Sequence, residues 1–121
     1  MPSSRGRLGT RGERAAERYL ASLGYEIVER NYRCPWGEVD LVTRDGPSLV
    51  FVEVRTRRSH TFGSAEESVT RAKAKRIMAT AATYLQEHGM DGEPWRIDLV
   101  AVDMDGSQQR LRHIPNAVMG P

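Results

Sequence analysis

The sequence predicts a single α/β domain, with helices flanking a mixed sheet of four to five strands in the order α-β-β-β-α-β-(β). Two amphipathic helical segments are interspersed with short β-branched segments, and Gly- and Pro-containing turns separate them. Of the 121 residues, 39% are hydrophobic and 28% charged, which suits one core and is too apolar for disorder. We expect residues 1–9 to form a flexible arm and residues 10–121 to form the domain.

The first helix is predicted over residues 10–23. Thr10 and Glu13 have the spacing of a capping box, and Gly24 is a typical C-terminal stop. The second helix is predicted to start between Ser64 and Thr70, either of which could cap it, and to end at Gly89. Both segments place apolar residues at helical spacing, so each should bury one face against the sheet.

Strands are predicted over residues 25–33, 38–44, 49–56, 96–103 and, as a fifth, 110–114. The third strand is nearly all apolar and should therefore be central, with both faces covered. A turn at residues 45–48 makes the second and third strands an antiparallel hairpin. The long helix that follows should bring the fourth strand parallel to the third.

Composition excludes several classes of protein. No apolar run approaches the roughly 20 residues of a membrane-spanning helix, and no secretory signal is visible. The single cysteine, Cys34, excludes an intrachain disulfide and favours a reducing, cytoplasmic setting. The net charge is +2, but residues 1–33 carry +3, residues 34–54 carry −3, residues 55–76 carry +5 and residues 77–121 carry −3. Basic blocks can bind a polyanion, although solvated surface charge explains such runs equally simply.

Charged residues inside apolar strands are the most informative anomaly. Glu53 interrupts the central strand, and Arg55 projects to the same side because strand side chains alternate. Asp40 interrupts the partner strand, with Glu38 on its side by the same rule. A four-residue turn makes paired residue numbers sum to about 93, which places Asp40 opposite Glu53 at about 5 Å. A register slip of one residue would separate the two carboxylates.

Two adjacent carboxylates favour a divalent cation, and hard ions such as Mg²⁺ prefer carboxylate and water oxygens. Such an ion can activate water and stabilise charge on a phosphoryl oxygen, while Arg55 could hold a phosphate. A buried ion pair of Arg55 with Asp40 or Glu53 is the structural alternative. For Glu13, the alternative to a third metal ligand is its capping role.

Several separated motifs together resemble the YraN family of small bacterial proteins, over nearly the whole chain. The resemblance rests on Gly12-Glu13, Arg30-Asn31-Tyr32-Arg33, Gly37-Glu38-Val39-Asp40, Val52-Glu53-Val54-Arg55, Glu67-Ser68-Val69-Thr70 and Ile97-Asp98-Leu99. Members are similar to archaeal Holliday-junction resolvases and belong to the restriction-endonuclease-like, PD-(D/E)xK fold. The resemblance implies a fold more firmly than an activity.

The resemblance implies the nuclease motif's acids at Glu13, Asp40 and Glu53, which would hold Mg²⁺ or Mn²⁺ with help from Glu38. The motif lysine falls on Arg55, a departure from the nuclease pattern, because arginine effectively cannot lose its proton to activate water. We therefore expect Arg55 to contact phosphate. Resolvase-like nucleases often act as symmetric dimers, so a homodimer is one arrangement that the resemblance allows.

Basic residues around the second long helix are candidates for nucleic-acid contacts. Arg57, Lys73 and Arg76 form the predicted set; Arg58, Arg71 and Lys75 could extend it or face solvent. Trp36 and Trp95 could stack on bases, but we expect each to pack beside its loop. The histidines, His60, His88 and His113, show no metal spacing and are expected at the surface.

The leading hypothesis from the sequence is a metal-dependent endonuclease acting on DNA phosphodiesters, with branched or recombining DNA as the implied substrate. One alternative is a catalytically inactive nucleic-acid-binding module of the same fold, of which Arg55 would be a symptom. Another is a protein-interaction adaptor whose charges form structural ion pairs. Cleavage and salt-dependent binding would distinguish them.

Overall fold

The computed structural model describes residues 6–58 and 69–117, and in these ranges two helices flank a five-stranded sheet. The elements are α1 (Gly6–Ser22), β1 (Glu26–Cys34), β2 (Gly37–Asp45), β3 (Ser48–Arg58), α2 (Arg71–Glu87), β4 (Trp95–Asp105) and β5 (Gln108–Ile114). The strands lie in the order β1-β2-β3-β4-β5, with β3 and β4 parallel and the other pairs antiparallel. The predicted α/β class, the element order, the fifth strand and the parallel connection are confirmed.

The central strand β3 is buried on both faces because a helix covers each one. One apolar cluster joins α1 to the even-numbered residues of β3, and it contains Ala16, Leu20, Val50, Val52 and Val100. The other joins α2 to the odd-numbered residues, and it contains Leu49, Phe51, Ile77, Tyr84 and Ile97. The sheet is thus the middle of three layers, and any charged side chain on β3 must enter one of these clusters or the rim beyond it.

Helix α1 begins at Gly6, which makes residues 6–9 of the predicted arm helical; residues 1–5 lie outside the described residues. Thr10 is therefore inside the helix, and the predicted capping box with Glu13 is wrong. Gly12 lies against β3, where a Cβ would approach Thr56 Oγ1 to 1.7 Å. The missing side chain at residue 12 lets α1 pack closely on the sheet, next to Glu13.

Helix α2 begins immediately after Thr70, one of the two predicted caps. The Thr70 hydroxyl accepts a hydrogen bond from the backbone N–H of Lys73 at 3.2 Å, as an N-cap should. The other predicted cap, Ser64, lies outside the described residues. Neither of the two helices has the length and apolar character needed to cross a bilayer, a finding that covers residues 6–58 and 69–117.

The β2–β3 register is the one predicted from the turn. Five pairs are formed, from Asp45↔Ser48 to Leu41↔Val52, and the residue numbers of each pair sum to 93. The ladder ends there, and the carboxylate of Asp40 accepts the next backbone N–H, that of Val54, at 2.7 Å. A side chain has replaced backbone pairing at this point, so the two strands part beside Asp40.

Strand β2 also loses its regular alternation at Asp40. Val39 and Val42 both belong to the cluster under α2, whereas Leu41 belongs to the cluster under α1. The facing residue on β1, Asn31, has a left-handed backbone with φ of 53°, which is consistent with a local twist of both strands. The prediction that Glu38 shares a side with Asp40 assumed a strict period of two, which does not hold here.

Candidate functional site

Asp40 is buried at the point where β2 leaves β3, with 1% of its surface exposed. Its Oδ2 accepts the hydrogen bond from Val54 N, so the carboxylate lies against the Glu53–Val54 peptide. Its Oδ1 is also buried. The β2–β3 ladder ends at Leu41↔Val52, immediately before Asp40 and Glu53, so both carboxylates lie at this end of the ladder, and their predicted direct pairing stays a prediction.

Glu53 and Arg55 form an ion pair along β3. Arg55 Nη2 lies 2.8 Å from Glu53 Oε2, and the two side chains are 26% and 11% exposed, respectively. The Nε of Arg55 is buried and meets no hydrogen-bond acceptor among the described residues. One of the ion pairs weighed as a structural alternative is therefore present, but Arg55 keeps a donor that the described structure leaves unused, and its side chain reaches water.

Glu13 and Glu38 were predicted to complete a metal site with Asp40 and Glu53. In the described residues, no group of three acidic, histidine or cysteine side chains is arranged to hold a metal. Two reasons follow from the fold. Glu13 belongs to α1, which packs on the even-numbered side of β3, whereas Glu53 has odd parity. Glu38 forms an ion pair with Arg33 of β1, with a distance of 3.2 Å between Nε and Oε2.

The pair formed by Asp40 and Glu53 is compatible with a magnesium-type ion. Mg²⁺ in proteins is commonly held by one or two carboxylates, its remaining ligands being water and substrate phosphates, rather than by a full protein cage. Asp40 and Glu53, two buried carboxylates of adjacent strands, supply that donor set. The chemistry of these two residues therefore fits the ion, with Glu13 and Glu38 as predicted additional ligands that stay untested.

The predicted nucleic-acid contacts lie on the strands and helix around this pair. Lys73 and Arg76 are exposed in the first half of α2, and Arg57 is half-buried near the end of β3. Arg76 also lies at the β1–β2 turn, since a Cβ on Gly37 would be 3.7 Å from the Cβ of Arg76. Arg76 belongs to α2, which packs on the odd-numbered side of β3, the side to which Glu53 belongs by parity.

A second buried polar cluster, centred on Asp98 of β4, was not predicted. Asp98 is fully buried; its Oδ1 accepts hydrogen bonds from Arg96 Nε and Asn116 N, both at 3.0 Å, and its Oδ2 lies 2.7 Å from His113 Nε2. The other ring nitrogen of His113 lies 3.2 Å from the Tyr19 hydroxyl of α1. Asp98 interrupts an apolar strand just as Glu53 does, so the rule that identified Glu53 could have identified it.

Arg96 extends this cluster towards the α1–β1 connection. Its Nη2 donates to the Tyr25 hydroxyl at 2.7 Å and lies 3.4 Å from Asp45 Oδ2. Burial raises the pKa of Tyr25, while the positive charge of Arg96 acts in the opposite direction. The cluster joins α1, β4 and β5 and is closed by its own hydrogen bonds, which is typical of a structural network.

Two expectations about surface residues were wrong. His113 was expected at the surface, yet its side chain is 9% exposed in the Asp98 cluster. Trp36 was expected to pack beside its loop, yet it is 62% exposed. Trp95 is 37% exposed and contacts Phe51 edge-on, with ring centroids 5.9 Å apart. His88 is exposed and stacks on Tyr84, while His60 lies outside the described residues.

Comparison with known proteins shows the family of this chain. The family described as "Uncharacterised protein family UPF0102" matches residues 12–102. The chain belongs to the UPF0102 (YraN) family. It is similar to a UPF0102 protein of Roseiflexus castenholzii, with 48% identity over 98% of both chains, and to one of Dehalococcoides mccartyi, with 44% identity over 98% of both. A UPF0102 protein of Beutenbergia cavernae is 55% identical over 78% of this chain and 80% of its own.

The family match confirms the resemblance inferred from the separated motifs. The matched region begins at Gly12 and ends at Val102, and so it includes Asp40, Glu53 and Arg55 as well as Asp98. The names of these relatives state family membership and no activity.

Proposed function

We propose that this chain has a PD-(D/E)xK nuclease-like fold and hydrolyses DNA phosphodiesters with the aid of Mg²⁺ or Mn²⁺. The observation that carries the proposal is the pair of buried carboxylates, Asp40 and Glu53, on adjacent strands where the β2–β3 ladder ends. A five-stranded mixed sheet flanked by helices is compatible with that fold. Burying two carboxylates on adjacent strands is unfavourable unless cations neutralise them, and a divalent ion would add to the single positive charge that Arg55 supplies.

Asp40 and Glu53 would hold the ion in this proposal. The ion supplies an activated water and neutralises charge that develops on the phosphoryl oxygens. The hydrogen bond from Val54 fixes the Asp40 carboxylate, so its direction is set before any ligand arrives. Glu13 and Glu38 are the further ligands that the resemblance implies. To reach the ion, Glu38 would have to leave its ion pair with Arg33, and Glu13 would have to extend from α1 past the edge of β3.

Arg55 would contact the phosphate of the scissile bond. Its side chain is 26% exposed, so its guanidinium can reach phosphate oxygens from solvent. A guanidinium stays protonated, so Arg55 can orient and neutralise but cannot take a proton from water. Lys73, Arg76 and Arg57 would contact neighbouring phosphates, which positions the strand without reading its sequence.

Cleavage assays on linear and branched DNA, each with Mg²⁺ and with Mn²⁺, test this proposal. We expect Asp40→Asn and Glu53→Gln each to reduce the cleavage rate by at least about 1000-fold, because either change removes an ionic ligand of the metal. The matched controls are Asp91→Asn and Glu26→Gln, which make the same change at exposed positions of the α2–β4 connection and of β1. Cleavage that persists in both site variants would refute the assignment.

A catalytically inactive DNA-binding module is the second candidate, and one observation favours it. Glu53 is already paired with Arg55 at 2.8 Å, so the protein carries its own cation at the acidic pair. In that case DNA would bind with a steep dependence on salt, and no product would form with either metal. Binding without cleavage by the unmodified protein, across all DNA forms tested, would select this alternative.

A further inference from the structure

Trp36 is the most exposed large hydrophobic side chain of the described residues, at 62%, and it occupies a rigid position. It forms the β1–β2 turn with Pro35, between the paired residues Cys34 and Gly37. Proline fixes its own φ, and Gly37, with φ of 153°, adopts a conformation that other residues avoid. A Cβ on Gly37 would approach Thr80 Oγ1 to 3.2 Å, so the turn is held against α2.

Two arginines lie near Trp36, which belongs to the same strand pair as Asp40. Arg76 of α2 lies behind the turn, and Arg33 of β1 is exposed beside it, in an ion pair with Glu38. Asp40 follows Trp36 by four residues on β2, or about 13 Å along an extended strand. Bases stacked in one nucleic-acid strand are spaced by about 3.4 Å, so this distance corresponds to about four nucleotides.

We infer that Trp36 stacks on an unpaired base of the bound DNA, within about four nucleotides of the phosphodiester at Asp40 and Glu53. This inference rests on the proposed function and defines its substrate class as DNA that contains a single-stranded segment. An indole can stack on any base whose face is free, whereas the interior bases of an intact duplex have both faces covered by their neighbours. Arg33 and Arg76 would hold the phosphates on either side of that base.

The two tryptophans allow a direct test by fluorescence. Trp95→Phe leaves Trp36 as the single emitter, and Trp36→Phe leaves Trp95, which lies at the start of β4 against Phe51. Each variant is titrated with oligo-dT, with a blunt duplex and with a duplex carrying a single-stranded tail. We expect oligo-dT and the tailed duplex to quench Trp36 strongly, the blunt duplex to quench it little, and Trp95 to respond to none of them.

Affinity measurements complete the test. Trp36→Ala should weaken binding of the tailed duplex roughly 5- to 150-fold, the loss expected for one stacked base, and should leave blunt-duplex binding within about twofold. Trp36→Tyr should restore part of the affinity. Because Trp36 is exposed, its variants should unfold at the same temperature as the unmodified protein, which checks that the fold is intact.

The outcomes separate this inference from the proposed function. If the unmodified protein binds DNA with a salt-dependent affinity, but Trp36→Ala binds tailed and blunt duplexes as well as before, the stacking role is refuted and the phosphate site stands. If the unmodified protein binds no DNA even at low salt, both are refuted. Selective loss of tailed-duplex binding, together with quenching of Trp36, supports the inference.

Discussion

Two buried acidic clusters lie on opposite faces of one sheet, and they differ in how the protein neutralises them. On the α1 side, Asp98 is fully buried, and its carboxylate has three polar contacts, with Arg96, His113 and Asn116, none longer than 3.0 Å. On the other side, Glu53 and Arg55 form a pair that reaches the surface, beside Asp40 at the end of a ladder. A closed network has no capacity for a ligand, whereas a pair at the surface can exchange its partner.

The largest expected effect concerns the closed cluster. Asp98→Ala should lower the free energy of unfolding by about 3–5 kcal/mol, because it leaves the half-buried Arg96 without its nearest counter-charge and removes the buried partner of His113. Urea denaturation at neutral pH measures the change, and Asp91→Ala at an exposed position is the control. A loss below about 1 kcal/mol would mean that the Asp98 cluster is not structural, and the proposed difference between it and the Glu53–Arg55 pair would then be wrong.

The ion pair of Glu53 and Arg55, which reaches the surface, should have a smaller interaction free energy. A double-mutant cycle with Glu53→Gln and Arg55→Met should give an interaction free energy of about 1 kcal/mol, since solvent reaches the Arg55 side chain and screens the pair. Urea denaturation of the four proteins provides the cycle. A coupling of about 3 kcal/mol or more would indicate a locked structural ion pair, and Arg55 would then be a poor candidate for exchange onto phosphate.

The smallest expected effect is on the unfolding free energy at alkaline pH, where one tyrosine on each face of the sheet can be compared. Burial, together with the hydrogen bond to Glu87, raises the pKa of Tyr32 on the α2 side. Its contribution to stability is therefore fully present below the unfolded-state pKa of about 10 and is lost as the pH rises above that value. Tyr32→Phe should flatten the fall in unfolding free energy between about pH 10 and pH 11.

Tyr25→Phe serves as the comparison on the α1 side. The positive charge of Arg96 opposes the effect of burial on the pKa of Tyr25, so its removal should flatten the alkaline fall less than Tyr32→Phe does. Urea denaturation across this pH range checks both variants. An equal or larger effect of Tyr25→Phe would show that the closed cluster, and not the α2 side, governs alkaline unfolding.

The sequence predicts those parts of this molecule that depend on local periodicity and turn chemistry. The β2–β3 register followed from the turn length as far as Leu41↔Val52, whereas the end of the ladder beside Asp40 did not follow from it. The placement of Glu13 depended on where α1 begins, at Gly6, and the placement of Glu38 depended on the twist of the strands at Asn31 and Asp40. Both are tertiary features that leave only weak signals in the local sequence. The Asp98 network joins residues up to 94 positions apart, so its partners could not be read from spacing.

The early end of the β2–β3 ladder has a consequence for the solubility of the chain. In the described structure, β3 continues beside β4 as far as Arg58, but β2 accompanies it only to Val52. The last residues of β3 therefore have a strand on one side only, and an exposed strand edge of this kind can pair with a strand from another molecule. Arg55, Arg57 and Arg58 place positive charge along that edge, and charged side chains are a common protection against such pairing. Two of these arginines, Arg55 and Arg57, are proposed for DNA contacts, and the same side chains would also keep copies of the protein apart.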